Sequence, residues 1–181
     1  MIMQKCYKMT IAGCERELPL CPISDKMDIA AFIMFGDVEL TEKAAEALLK
    51  KSPAHDIIVT AEAKGIPLAY EMARQGCRKY FVARKATKLY MRNPLEVEVR
   101  SITTDRLQHL YLSEEEVEAI CGKRILIADD VISTGESLLA VEKLINEAGG
   151  RIVGRAAVLA EGEASKRDDI IYLEPLPLFV K

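Results

Sequence analysis

The stretch from Arg124 to Leu138, RILIADDVISTGESL, restricts the fold more than any other part of the chain. Ile125-Leu126-Ile127-Ala128 is short, apolar and β-branched, which fits a buried parallel strand rather than a helix. Two acids follow, Asp129 and Asp130, then a small hydroxylic turn, Ser133-Thr134-Gly135, and a helix is expected from about Glu136. An open α/β sheet presents an anion site in this order: loop N–H groups and a helix N-terminus face a phosphate, and strand-end acids beside it hold hydroxyls or a metal-bound ligand. The stretch has neither the Lys and spacing of a P-loop nor the glycines of a dinucleotide fingerprint. Read without its neighbours, Asp129-Asp130 would be a solvated strand end and Ser133–Gly135 an ordinary turn.

Two more units of the same kind precede it. Asp56–Thr60 (DIIVT) reads as a buried strand, and Ala61-Glu62-Ala63-Lys64-Gly65 follows directly. Pro67 suits the start of a helix running to Arg74 and closed by Gly76. Gly65 at a helix start implies close approach of the backbone to a ligand. Lys79–Ala83 (KYFVA) is a third strand, ending in the cations Arg84, Lys85 and Lys88. A charge run is usually a solvated face, but at the mouth of the same sheet it is suited to pyrophosphate oxygens.

That local positive cluster matters because the net charge of the 181 residues is −3. No basic surface argues for nucleic acid or a membrane as a partner. The length suits one domain with a core large enough to need no staples. The five cysteines are odd in number without a Cys-x-x-Cys, and with two histidines they argue against a zinc site and for reduced thiols. No export signal and no run of roughly 18 apolar residues is present, so a cytoplasmic location is expected.

Elsewhere, residues 5–35 read as short strands and turns, with Pro19 and Pro22 breaking any helix; Asp28–Phe35 fits either a strand or a buried helix. Thr41 is the expected N-cap of a helix to Lys51. Leu95–Ile102 and Leu107–Leu112 alternate like a half-exposed hairpin with its tip at Thr103–Arg106, a polar excursion that suits a mobile flap. Ser113-Glu114-Glu115-Glu116 is a capping box opening a helix to about Ile120. Ser137–Ala148 is amphipathic, Ile152–Ala160 a strand, Glu161–Asp169 a charged loop, and Ile170–Leu173 a last strand before a proline-broken tail. The whole, residues 1–181, is expected to be one domain: a hood over about 1–38 and a core over 39–181, α/β with a mostly parallel central sheet flanked by helices.

The Arg124–Leu138 stretch resembles the signature of type I phosphoribosyltransferases that binds 5-phosphoribosyl 1-pyrophosphate (PRPP). Glu62-Ala63-Lys64-Gly65 resembles the pyrophosphate loop of adenine phosphoribosyltransferases, and Arg84-Lys85 with Lys88-Leu89 resembles that family's Arg-Lys-x-x-Lys-Leu segment. The likeness covers roughly residues 40–160. It implies a Rossmann-like sheet with a hood and a hairpin flap. It implies that Asp129 and Asp130, with Arg84 and Lys85, serve catalysis, the two acids binding the ribose hydroxyls of Mg²⁺-PRPP. Ser133, Thr134, Gly135, Glu136 and Ser137 would hold the 5′-phosphate, and Glu62, Ala63, Lys64, Gly65, Arg84, Lys85 and Lys88 the pyrophosphate. The metal would travel with PRPP, near Asp129 and Asp130, with no ligand set of the protein's own.

The implied reaction is displacement of pyrophosphate from C1 of PRPP by a purine, adenine first, giving a nucleoside monophosphate for nucleotide salvage; a homodimer is implied by the family. Base choice is expected from the N-terminal hood and from residues around Phe81, Arg84 and the loop after Ala160. The chain departs from the adenine pattern in three places. No Glu-Tyr-Gly stands near Ser101–Asp105, Tyr90 replaces a proline, and Glu136 replaces a glycine. A xanthine- or guanine-specific transferase and a non-catalytic PRPP- or nucleotide-sensing protein are therefore alternatives.

Overall fold

The structure is a computed structural model that describes residues 5–100 and 107–181. Its centre is a five-stranded sheet of β4 (Ile57–Ala61), β5 (Tyr80–Ala83), β8 (Arg124–Ile132), β9 (Arg151–Glu161) and β10 (Ile171–Leu176). Its order is β10-β9-β8-β4-β5 and every pairing is parallel. Buried on both faces, β4 is apolar but for Thr60, as a parallel strand covered by helices must be. Helices α1 (Val38–Lys51) and α2 (Ile66–Gln75) cover one face, and α4 (Glu136–Glu147) the other; α3 (Glu114–Ile120) precedes β8. In chain order the strands run 2-1-3-4-5 across the sheet, so the winding direction reverses between β4 and β8. Ligands of open α/β sheets bind outside the carboxyl ends at such a reversal, and the two loops that leave it are Glu62–Gly65 and Ser133–Gly135. At the other end Asp56 fixes the register, its carboxylate accepting from the Arg124 N–H at 2.9 Å and from the guanidinium at 2.7 and 3.1 Å.

A second sheet, antiparallel in the order β1-β2-β3-β11, packs against the α1–α2 face. It comprises β1 (Cys6–Ile11), β2 (Cys14–Ser24), β3 (Met27–Ala30) and β11 (Phe179–Val180). Asp28–Phe35 is thus strand only at its start, with no regular element after Ala30. Pro19 and Pro22 lie inside β2 because β1 pairs only as far as Pro19, and at Pro22 β2 has β3 alone beside a register shift. Each proline sits where one flank needs no donor. The tail is not simply proline-broken: β10 runs through Pro175 to Leu176, and Phe179 and Val180 pair with Asp28 and Met27.

Three local expectations are corrected. Asp37, not Thr41, caps α1: its carboxylate accepts from the Leu40 N–H at 3.2 Å and is gripped by Arg16 at 2.6 Å, while the Thr41 hydroxyl donates to the Asp37 carbonyl. β8 does not stop at Ala128 but continues through both acids, because Val131 and Ile132 keep pairing with Leu159 and Ala160. Asp130 consequently faces the interior and is 3% exposed, rather than a solvated strand end. The capping box at Ser113 is present, and β6 (Leu95–Arg100) pairs with β7 (Leu107–Leu112) as the expected hairpin, docked through a bridge between Arg84 and Tyr111. The hairpin tip and Ser101–Asp105 lie outside the described residues. All five cysteines are free, and among the described residues no helix is long and apolar enough to cross a membrane.

Candidate active site

At the reversal point the two acids are held by the loop that follows β4. Gly65 packs directly against them: a Cβ there would clash with Thr60 Oγ1 and lie 2.8 Å from Asp129 Oδ1 and 3.2 Å from its Cα. The close approach that a glycine at this position implied is therefore to the protein's own acid. Lys64 reaches across and pairs with Asp130, Nζ to Oδ2 at 2.7 Å. The Asp130 N–H donates to Asp129 Oδ1 at 2.8 Å. Burial, then the neighbouring Asp130 carboxylate, raise the Asp129 carboxyl well above the usual carboxylate range.

Glu62 does a different job from its loop neighbours. Its Oε2 accepts from the Lys85 N–H at 3.0 Å, and its Oε1 faces Arg84 Nη1 at 3.4 Å. The Lys85 amide, with Lys88 and Arg84 adding charge, holds its carboxyl below the usual range. A carboxylate so placed faces the protein's own amide and guanidinium, and it braces Arg84 and the backbone at Lys85. Lys85 is exposed and Lys88 half-buried, and neither side chain makes an ion pair among the described residues, so both are available to an anion.

The loop between β8 and α4 is built from backbone. Gly135 has φ +83°, a conformation that an L side chain resists, and caps α4 without a side-chain bond. Ser133, Thr134 and Ser137 are exposed around a polar cavity of about 50 Å³ that Asp129 and Gly135 also line. Glu136, half-buried, starts the helix, and its N–H faces Thr134 Oγ1 at 3.5 Å. Beside Gly135 stands Arg167, part of the stretch expected as a charged loop. Its guanidinium is clamped by Asp169 through two bonds of 2.8 Å, which leaves Nη1 3.0 Å from where a Cβ on Gly135 would be. Only the register of β9 and β10, which sets the course of the intervening 162–166 turn, brings it there; no local pattern in the sequence marks it.

A separate cavity of about 380 Å³ opens beside both loops. It lies between residues 29–33 of the hood and the group Lys64, Val131, Ser133 and Glu161. Of the expected base-selecting regions, the hood and the residue after Ala160 meet here. Phe81 and Arg84 do not; they line another cavity, near Tyr90 and α3.

Comparison with known proteins agrees with this geometry. Residues 36–176 match the profile of the phosphoribosyl transferase domain. A hypoxanthine/guanine phosphoribosyltransferase of Methanococcus voltae is 33% identical over 146 residues, covering 81% of this chain and 72% of that protein. An adenine phosphoribosyltransferase of Thermotoga petrophila is 32% identical over 66% of this chain and 62% of its own length. The fold superposes on a crystal structure of adenine phosphoribosyltransferase from Rhodothermus marinus with a TM-score of 0.67 and 23% identity, covering 95% and 94% of the two chains.

Proposed function

The chain belongs to the phosphoribosyltransferase family, as a purine-type transferase, and from that premise we propose that it moves the 5-phosphoribosyl group of PRPP onto adenine. The observation that carries this reading is the placement of the 380 Å³ cavity, which borders at once on Lys64 of one anion loop and Ser133 of the other. A ligand with a 5′-phosphate, a 1-pyrophosphate and an acceptor ring above C1 needs that arrangement.

In this reading the Ser133–Ser137 amides and hydroxyls hold the 5′-phosphate, and the ribose hydroxyls lie at the acid pair, with Asp129 toward them and the buried Asp130 engaged by Lys64. The Lys64 and Gly65 backbone, with Arg84, Lys85 and Lys88, receives the pyrophosphate. Charge grows on that group as its bond to C1 breaks, so cations set in advance lower the barrier more than they tighten ground-state binding. Mg²⁺ suits a site of this kind. Among the described residues no three His, Cys, Asp or Glu side chains gather as a metal nest, and Mg²⁺ held by substrate phosphates keeps most of its waters. When bound it would neutralise phosphate charge, with Asp129 and Asp130 nearby. Adenine is favoured by the Glu62–Gly65 and Arg84–Leu89 segments, while the relatives include transferases named for hypoxanthine and guanine.

We infer a homodimer on the same grounds. Val38 and Tyr70, each more than half exposed, line an apolar cavity of about 370 Å³ between α1 and α2, and Ile33 and Phe35, which flank its Met34 in sequence, are more than half exposed as well. Light scattering should return twice the chain mass, and a monomer would remove this part. The function is tested by pyrophosphate release from PRPP and Mg²⁺ with adenine, guanine, hypoxanthine and xanthine in turn. Turnover led by adenine is expected; turnover led by another purine would correct the base, and turnover with none would overturn the reading.

A further inference from the structure

We propose that Glu161 accepts the proton that the purine ring must lose as it bonds to the ribosyl group, and so selects a base presenting a ring N–H at that wall of the cavity. The inference rests on the phosphoribosyl-transfer reading and deepens it.

Glu161 is the last residue of β9, paired in register with Leu176, and both line the cavity. The other walls, from every element that packs there, are Ile29 to Ile33 of the hood, Lys64 after β4, and Val131 and Ser133 of the β8 end. Only Lys64 and Glu161 among these are ionisable, and Lys64 is committed to Asp130 at 2.7 Å. The Glu161 side chain makes no hydrogen bond or ion pair among the described residues and is half-buried. A carboxylate left unengaged beside an apolar pocket is unusual unless a ligand supplies the donor.

The chemistry supplies a need for such a group. A neutral purine carries one imidazole N–H. When a ring nitrogen uses its lone pair to bond C1, the electron pair of the C1–O bond leaves with pyrophosphate. The product would then be a cation unless the N–H proton departs, and Glu161 would take that proton to become a neutral carboxylic acid. Ser133 cannot do so as a neutral hydroxyl, and Asp129 borders the other cavity, toward the ribose. Burial raises the Glu161 carboxyl above the usual carboxylate range, with Lys64 partly opposing, which moves it toward the pH where a general base works best.

The test uses the base that wild type turns over best and compares Glu161→Gln and Glu161→Asp across pH. E161Q should lower kcat about 100-fold or more and erase the acid-side inflection of kcat/KM for the base. E161D should recover part of both. PRPP affinity measured without base should change less than about twofold, and E161Q should unfold at the wild-type temperature or above. An E161Q enzyme with kcat within about threefold of wild type and an intact acid limb overturns the proposal while leaving the transferase reading standing. A wild type inactive with every purine overturns both.

Discussion

The two loops at the carboxyl edge of the sheet, after β4 and after β8, are constructed on different principles. The loop after β4 is cross-braced by the protein's own opposite charges: Lys64 on Asp130 at 2.7 Å, Glu62 on the Lys85 amide at 3.0 Å and near Arg84 at 3.4 Å. The loop after β8 has no side-chain cap, turns on a left-handed glycine, and has Arg167, itself bound to Asp169, beside that glycine. In the proposed reaction the difference has a reason. The 5′-phosphate stays attached to the ribose from substrate to product, so its loop gains by staying a fixed cradle of amides. Pyrophosphate must leave, and Arg84, which has Glu62 to return to, releases it more readily than an orphaned cation would.

The sharpest way to break that contrast is Gly65→Ala, which drives a methyl group into Thr60 and Asp129. A loss of about 100-fold or more in kcat/KM is expected from a displacement of this size, with ~1–3 kcal/mol of lost stability from overpacking. Wild-type kinetics and melting in this variant would mean that the braced loop does not set the acids. Next, Asp130→Asn leaves Lys64 without its counter-ion and should reduce kcat/KM for PRPP by about 10- to 100-fold, the worth of one charged hydrogen bond. Unchanged PRPP kinetics would detach the acid pair from the sugar.

A double dissociation sharpens the comparison at smaller effect. Arg167→Gln should weaken ribose 5-phosphate binding about tenfold, the scale of one charge-assisted contact, and leave pyrophosphate binding alone. Glu62→Gln should do the converse to a lesser degree. Calorimetry with the two ligands reads both, and equal effects on both ligands in either variant would merge the loops into one site.

The smallest effect concerns stability. Asp129 has a folded pKa above its unfolded one, so the folded state holds the proton longer. Stability is then lost as pH rises from the ordinary carboxylate range through the folded value. Asp129→Asn should remove that loss and melt higher than wild type near neutral pH, by about 2–4 °C if the cost is ~1 kcal/mol. The gap should close in mild acid, and a variant that melts lower at neutral pH would contradict the assignment.

Strand, loop and helix at β4 and β8, and the strand with its cationic loop at β5, were legible because their signals are local. An apolar run, a glycine and a proline at N1 or N2 of a helix identify Ile57–Gln75, and the capping box at Ser113 identifies α3. The cations after β5 were legible for the same reason. What escaped involves partners far apart in the chain. Nothing near Asp130 announces Lys64, nothing near Gly135 announces Arg167, and Glu161 reads as one more charge in a charged loop until β9 and β10 register it against the hood. Thr41 was the wrong cap because Arg16, from β2, steadies Asp37. The length of β8 was misjudged because its last residues are kept extended by β9, not by their own propensity.

The hood closes on the chain's last residues: Phe179 and Val180 complete its sheet against β3, and Lys181 pairs with Asp28 at 2.8 Å. β1 to β3 precede the parallel sheet in the chain and β11 follows it, so the hood sheet joins segments from either side of the whole core. Residues 29–33, which wall the 380 Å³ cavity, follow directly on the two residues that β11 pairs with. Loss of β11 should therefore loosen the wall of that cavity while leaving the carboxyl edge of the parallel sheet intact, a difference that amide hydrogen exchange would read.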